Sequence, residues 1–115
     1  MSLIIQGFPS AEQNHVSLAN WRKAPYCHWA FHHVREIVPT AEISNNPKDV
    51  WELEAGAMDV SCLGLEKIMA DTDSDAVVIL HDNKVVHETY RNGMTANDPH
   101  ILMSVSKSML GLVAG

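Results

Sequence analysis

Residues 76–93 read AVVILHDNKVVHETYRNG, and in them two runs rich in β-branched residues flank the pair Asp82-Asn83. Val, Ile and Thr suit the pleated surface of a strand, and an Asx pair tolerates the positive φ values that a two-residue hairpin turn needs. The pattern predicts strands near 76–81 and 84–91 joined by a tight reversal. His81 and His87 alternate with apolar residues and are expected on the solvent side of these strands.

Upstream, DVSCLGLEKIMADTDSD (59–75) places Val60, Leu63, Leu65, Ile68 and Met69 at helical spacing, which predicts a helix over about 60–70 that the acidic, turn-prone DTDSD terminates. Residues 1–58 hold four of the five prolines and all three tryptophans and show no long periodic run. They read as an extension of short elements and loops. Within it YCHWAFHHVREIV (26–38) predicts a short helix or turn with Trp29, Val34, Ile37 and Val38 on one side, and SNNPKD (44–49) a chain reversal. Downstream, Gly93 and ANDP (96–99) break the chain before a terminal segment that reads as a helix with Asp98 or Pro99 near its start.

The 115 residues suffice for one modest domain. With 46% apolar and 19% charged residues the composition is that of an ordinary globular chain. The formal charge of −6, with the two signs interspersed, argues against a nucleic-acid partner. The N-terminus MSLIIQGFPSAEQNH has no positive charge ahead of its apolar residues and too short an apolar run for an export signal, so the expected compartment is the cytoplasm. Cys27 and Cys62 are then read as free thiols without redox work.

The terminal segment PHILMSVSKSMLGLVAG (99–115) carries a lysine in a run that is otherwise mostly apolar. On a helix, Ser104, Lys107, Ser108, Gly111 and Gly115 share one stripe, and Val105, Met109, Leu110, Leu112 and Val113 surround it. An element apolar nearly all round is expected to be buried. A buried amine without a counter-charge sheds its proton and becomes a base. Ser104 lies one turn from Lys107, so the segment offers a nucleophile, a base and the positive end of a helix dipole for a developing oxyanion. Chance gives Ser-x-x-Lys at roughly one position in a few hundred, and a surface lysine reaching water is the competing interpretation. The context is what favours chemistry: the match is unique in this chain, opens an apolar helix and follows a hairpin.

At this point the residues resemble a family. HILMSVSKSMLGLVAG, preceded by DAVVILHDNKVVHETYRNGMTANDP, is similar to the start of the catalytic domain in the serine β-lactamase and penicillin-binding-protein superfamily. More narrowly it resembles the 6-aminohexanoate-dimer hydrolases (nylon-oligomer hydrolases) and the class C β-lactamase-like esterases. Trp21, Pro25, Trp29, Ala30, Phe31 and Pro39 fall where that group has a similar extension. The likeness covers about 18–43 and 74–115. It implies an α+β, three-layer fold, an antiparallel sheet with helices on both faces, whose catalytic domain begins near residue 59 after an extension over 1–58, and of which this chain is the N-terminal part, ending within the central helix. It implies Ser104 as the acylated nucleophile, Lys107 as its general base, and the Ser104 N–H as one of two oxyanion donors. The substrate would be a small linear amide or ester, with no metal and no organic cofactor. The family's later tyrosine or serine motif and its late strand have no counterpart here, and neither Tyr26 nor Tyr90, both upstream of the motif, is assigned the tyrosine's role. The 115 residues alone are therefore expected to be poorly stable and inactive.

Other constellations have plainer readings. Cys27, His28, His32 and His33 contain an i, i+4 histidine pair, but a structural metal site needs a fourth ligand in matching geometry; histidines packed among the neighbouring aromatics are the favoured explanation. Trp21, Trp29 and Phe31 either line a substrate entrance or, as favoured here, secure the extension to the body. Gly111 and Gly115 form a small-x-x-x-small pair in a run too short for a membrane span. Two alternatives to a cytoplasmic amide or ester hydrolase stay open: a non-catalytic truncated product or interaction module, and a β-lactamase. The oligomeric state is left open by the sequence.

Overall fold

The computed structural model describes residues 7–115. In chain order the elements are α1 (Cys27–Ala30), α2 (Val34–Ile37), β1 (Glu54–Ala55), α3 (Leu65–Asp71), β2 (Ala76–His81), β3 (Lys84–Tyr90) and α4 (Val105–Ala114), with single 3-10 turns at Glu12–Asn14 and Ser61–Leu63.

The hairpin forms where the sequence places it. β2 and β3 pair antiparallel from Ala76 opposite Tyr90 to His81 opposite Lys84. Asp82 and Asn83 take φ of 50° and 60°, the two left-handed residues whose twist matches that of the flanking strands. A bulge shifts the register between Ile79 and Leu80, so that Val86 has no partner of its own. The sheet gains a third strand that the sequence did not announce. β1 pairs parallel to β3, Glu54 opposite Lys84 and Ala55 opposite Val85, giving the order β1-β3-β2. The expected all-antiparallel sheet is therefore a mixed one in the part seen here. Gly56 extends the pairing, its N–H donating to the Val85 carbonyl at 2.8 Å.

Four further expectations are corrected. The helix placed at about 60–70 is divided: Gly64, at φ 60°, ends the 3-10 turn and stands as the N-cap of α3. The terminal helix begins at Val105, not at Asp98 or Pro99. Asp98 is engaged elsewhere, its carboxylate accepting from the Thr95 N–H at 2.7 Å and the Thr95 hydroxyl at 2.9 Å. α4 is exposed on every side, Leu112 at 85% and Val113 at 84%, because no other described element packs extensively on it. His87 is half-buried rather than solvent-side, with its Nε2 buried and unpartnered among the described residues.

The small core sits between α1, α3 and the start of β2. Cys27, Ala30 and Met69 are buried together with two polar side chains, His32 and Asp75. Burial, and then the nearby Asp73 and Asp75 carboxylates, push the Cys27 thiol above its ordinary range, which makes it a packed, poorly nucleophilic group. Cys27 and Cys62 are both free thiols.

Candidate active site

Three hydrogen bonds set the first turn of α4: the N–H groups of Val105, Ser106 and Lys107 donate to the carbonyls of Leu102, Met103 and Ser104 at 3.0, 3.4 and 3.0 Å. Ser104 is the N-cap residue. Its own N–H meets no acceptor among the described residues, so it is available to an incoming oxygen at the positive end of the helix. The residue before it is unusual. Of the five non-glycine residues with positive φ among the described residues, four are Asp or Asn, types that tolerate this region. The fifth is Met103, at φ 48°, a conformation that costs an unbranched side chain roughly 1–2 kcal/mol. Strain of this kind clusters where a side chain must be presented at one angle.

Lys107 Nζ lies 3.2 Å from Ser104 Oγ and donates to it. The i, i+3 spacing brings the two groups together as the helix geometry requires. In the ammonium form the amine donates; once neutral, the same contact reverses and the hydroxyl donates to nitrogen, which is the arrangement a general base needs. The expected dry surroundings are not present, because both residues are exposed along with the rest of α4.

A second polar centre anchors the segment that leads into Ser104, and nothing in the sequence reading marked it. Asp75, 4% exposed, stands just before β2. Its carboxylate accepts from Asn92 Nδ2 at 2.7 Å and from His100 Nε2 at 2.9 Å, while its carbonyl accepts from the Arg91 N–H at 2.7 Å. It therefore ties both strands at the open end of the hairpin to residue 100. Beside it the Ile101 N–H donates to the Phe31 carbonyl at 2.8 Å, and the Phe31 ring packs edge-on between Trp21 at 6.0 Å and His100 at 5.9 Å. The sequence separation of 75 from 100 hides this cluster from any local motif.

The remaining candidates are engaged in other contacts. His28 Nε2 pairs with Asp73 at 2.9 Å. The rings of His32 and His33 bond the carbonyls of His28 and Trp29 at 2.7 and 2.8 Å, and His33 stacks on Trp29 at 4.2 Å. Among the described residues no three His, Cys, Asp or Glu side chains gather as a metal site. The Tyr26 hydroxyl donates to the Gln13 carbonyl at 2.9 Å. The Tyr90 hydroxyl donates to the Glu88 carboxylate, which holds the phenol above its ordinary range. No helix among the described residues is long and apolar enough to cross a membrane.

Comparison with known proteins gives this geometry a setting. No family model matches the chain. Over 111 residues it is 36% identical to the 6-aminohexanoate-dimer hydrolase of Paenarthrobacter ureafaciens, a match covering 94% of this chain and 28% of that protein. The chain resembles 6-aminohexanoate-dimer hydrolases. A solved structure described as "Putative 6-aminohexanoate-dimer hydrolase from Bacillus anthracis" shares 26% identity and superposes with a TM-score of 0.71 over 83% of this chain and 27% of its own. The likeness to these hydrolases thus extends beyond 18–43 and 74–115 into the segment between them. The chain spans little more than a quarter of each relative, 28% and 27% of their lengths.

Proposed function

We propose that the protein carrying this chain is a serine hydrolase of linear amides or esters, with Ser104 as nucleophile and Lys107 as general base. The observation that carries this reading is the 3.2 Å contact between the lysine amine and the serine hydroxyl at the start of α4. The names of the relatives support the class of reaction, and by analogy a linear amide of 6-aminohexanoate is the substrate we put forward. Ser104 Oγ attacks the carbonyl carbon as its proton passes to Lys107 Nζ, and the Ser104 N–H faces the oxyanion that forms. The carbon–nitrogen bond then breaks, the departing amine takes the proton from Lys107, and water hydrolyses the acyl-enzyme to release the acid and restore the hydroxyl. The reaction needs neither metal nor organic cofactor.

The finer structural reading belongs to the same proposal. We take the mixed sheet and its helices as part of a β-lactamase-like three-layer fold, with 1–58 as an extension and the catalytic domain starting at 59, acting in the cytoplasm. On this view α4 lies under cover in the complete enzyme, which dries the Lys107 amine, and the 115 residues alone do not turn over substrate. The exposed apolar surface of α4 favours one competing reading, a non-catalytic interaction module.

The test is kinetic. In the protein expressed from its own start codon to its own stop codon, hydrolysis of a p-nitrophenyl ester and of the linear 6-aminohexanoate dimer is expected to vanish in Ser104→Ala. In Lys107→Met it is expected to fall by about 10²–10⁴, the usual contribution of a positioned base. Activity that survives Ser104→Ala would overturn the reading.

A further inference from the structure

Both ring nitrogens of His100 face acceptors. Nδ1 lies 2.8 Å from the Ile101 carbonyl oxygen and Nε2 lies 2.9 Å from the Asp75 carboxylate. A carboxylate only accepts, so the contact with Asp75 requires the proton on Nε2. The Asp75 side chain is only 2% exposed and accepts a further bond from Asn92. A buried carboxylate of this kind is held by the donors that reach its lone pairs. The other charged groups lining the clefts beside His100 are Asp73 on the α3–β2 turn, and His32 and Arg35 around α2. Asp73 is paired with His28, and Arg35 with Glu42.

The location gives this pair its consequence. Residues 99–104 carry no regular secondary structure, yet they set the direction from which Ser104 enters α4. Apart from the turn bonds that carry the segment into α4, the bonds that join it to the rest of the described chain, His100 Nε2 to Asp75 and the Ile101 N–H to Phe31, fall at 100 and 101. On the proposed serine-hydrolase reading, we infer that His100 is a positioning residue: held through Nε2 by the buried Asp75 carboxylate, it locks the approach to α4 onto the open end of the hairpin and so fixes the place of the nucleophile. A displacement of about 1 Å at a reacting group can cost on the order of a hundredfold in rate, so the lock acts on chemistry without touching substrate.

Two measurements on the complete expressed protein test this. In the wild type, nitrogen-15 NMR is expected to find a proton on His100 Nε2, and in Asp75→Asn a loss of that preference; a wild-type ring without a proton on Nε2 overturns the inference. Separately, Ser104 is labelled with a fluorophosphonate, and the maximal labelling rate is resolved from the concentration giving half that rate. His100→Gln and Asp75→Asn are expected to lower the maximal rate by about tenfold to a hundredfold and to leave the half-maximal concentration within twofold. Labelling at the wild-type rate in both variants overturns the positioning role alone. A wild type that takes no label on Ser104 overturns the hydrolase reading, and this inference with it.

Discussion

At the scale of single residues, Met103 and Asp98 show how the segment ahead of α4 is shaped. Met103 is held at φ 48° with no Asx side chain to ease it. Met103→Asn is expected to recover about 0.5–1 kcal/mol of that strain, read as a higher urea midpoint at unchanged slope; a lower midpoint would contradict the strain argument. Asp98 accepts from the Thr95 hydroxyl and N–H, and these bonds hold its carboxyl below the ordinary aspartate range. A depressed carboxyl adds stability above its unfolded value and loses it as pH falls through the folded one. The stability gap between wild type and Asp98→Asn is therefore expected to narrow as pH falls from about 6 to about 3. A gap independent of pH would refute it. Residue-level signals also misled. Asp98 and Pro99 carry the signature of a helix start, but the carboxylate is used in a Thr95 turn, and four irregular residues separate Pro99 from Ser104. The Asp75–His100 pair left no local trace, because its partners are joined only once the hairpin has closed.

Among the elements, the hairpin was readable because local chemistry and tertiary need agree: β-branched residues on both sides and an Asx pair at the turn. β1 was not, because Glu54-Ala55 has no strand pattern of its own and exists through pairing with β3. Gly56 is what permits that pairing. A Cβ there would stand 2.9 Å from both Lys84 Cβ and Val86 Cγ1, closer than packed carbons approach. Gly56→Ala is expected to destabilise by about 1–3 kcal/mol and to raise hydrogen exchange selectively at the Gly56 amide and along the β1 side of β3. Unchanged exchange there would show that the close approach carries no weight. The Ser-x-x-Lys pairing was legible from helical spacing alone, since i, i+3 side chains meet on any helix. Burial was not, because it depends on what packs against α4 and not on α4 itself.

The whole molecule is more open than a finished domain of its size. A compact monomer of 12.7 kDa has an accessible surface of about 6,200 Å², whereas this chain exposes 9165 Å². Its radius of gyration is 16.8 Å, against about 13 Å for a compact chain of this length. Leu110, Leu112 and Val113 of α4 account for part of the excess. The isolated 115 residues are expected to bind a hydrophobic dye and to melt without a sharp transition. A cooperative melt of a dye-free monomer would show that this surface is stable uncovered.

The central claim is that Ser104, paired with Lys107, is a nucleophile. Intact mass followed by peptide mapping, after treating the complete expressed protein with a fluorophosphonate, tests it most directly. The account predicts one adduct, on Ser104, forming about a hundredfold or more slowly when Lys107 is replaced by Met. An adduct on another residue, no adduct at all, or a rate indifferent to Lys107 would contradict it.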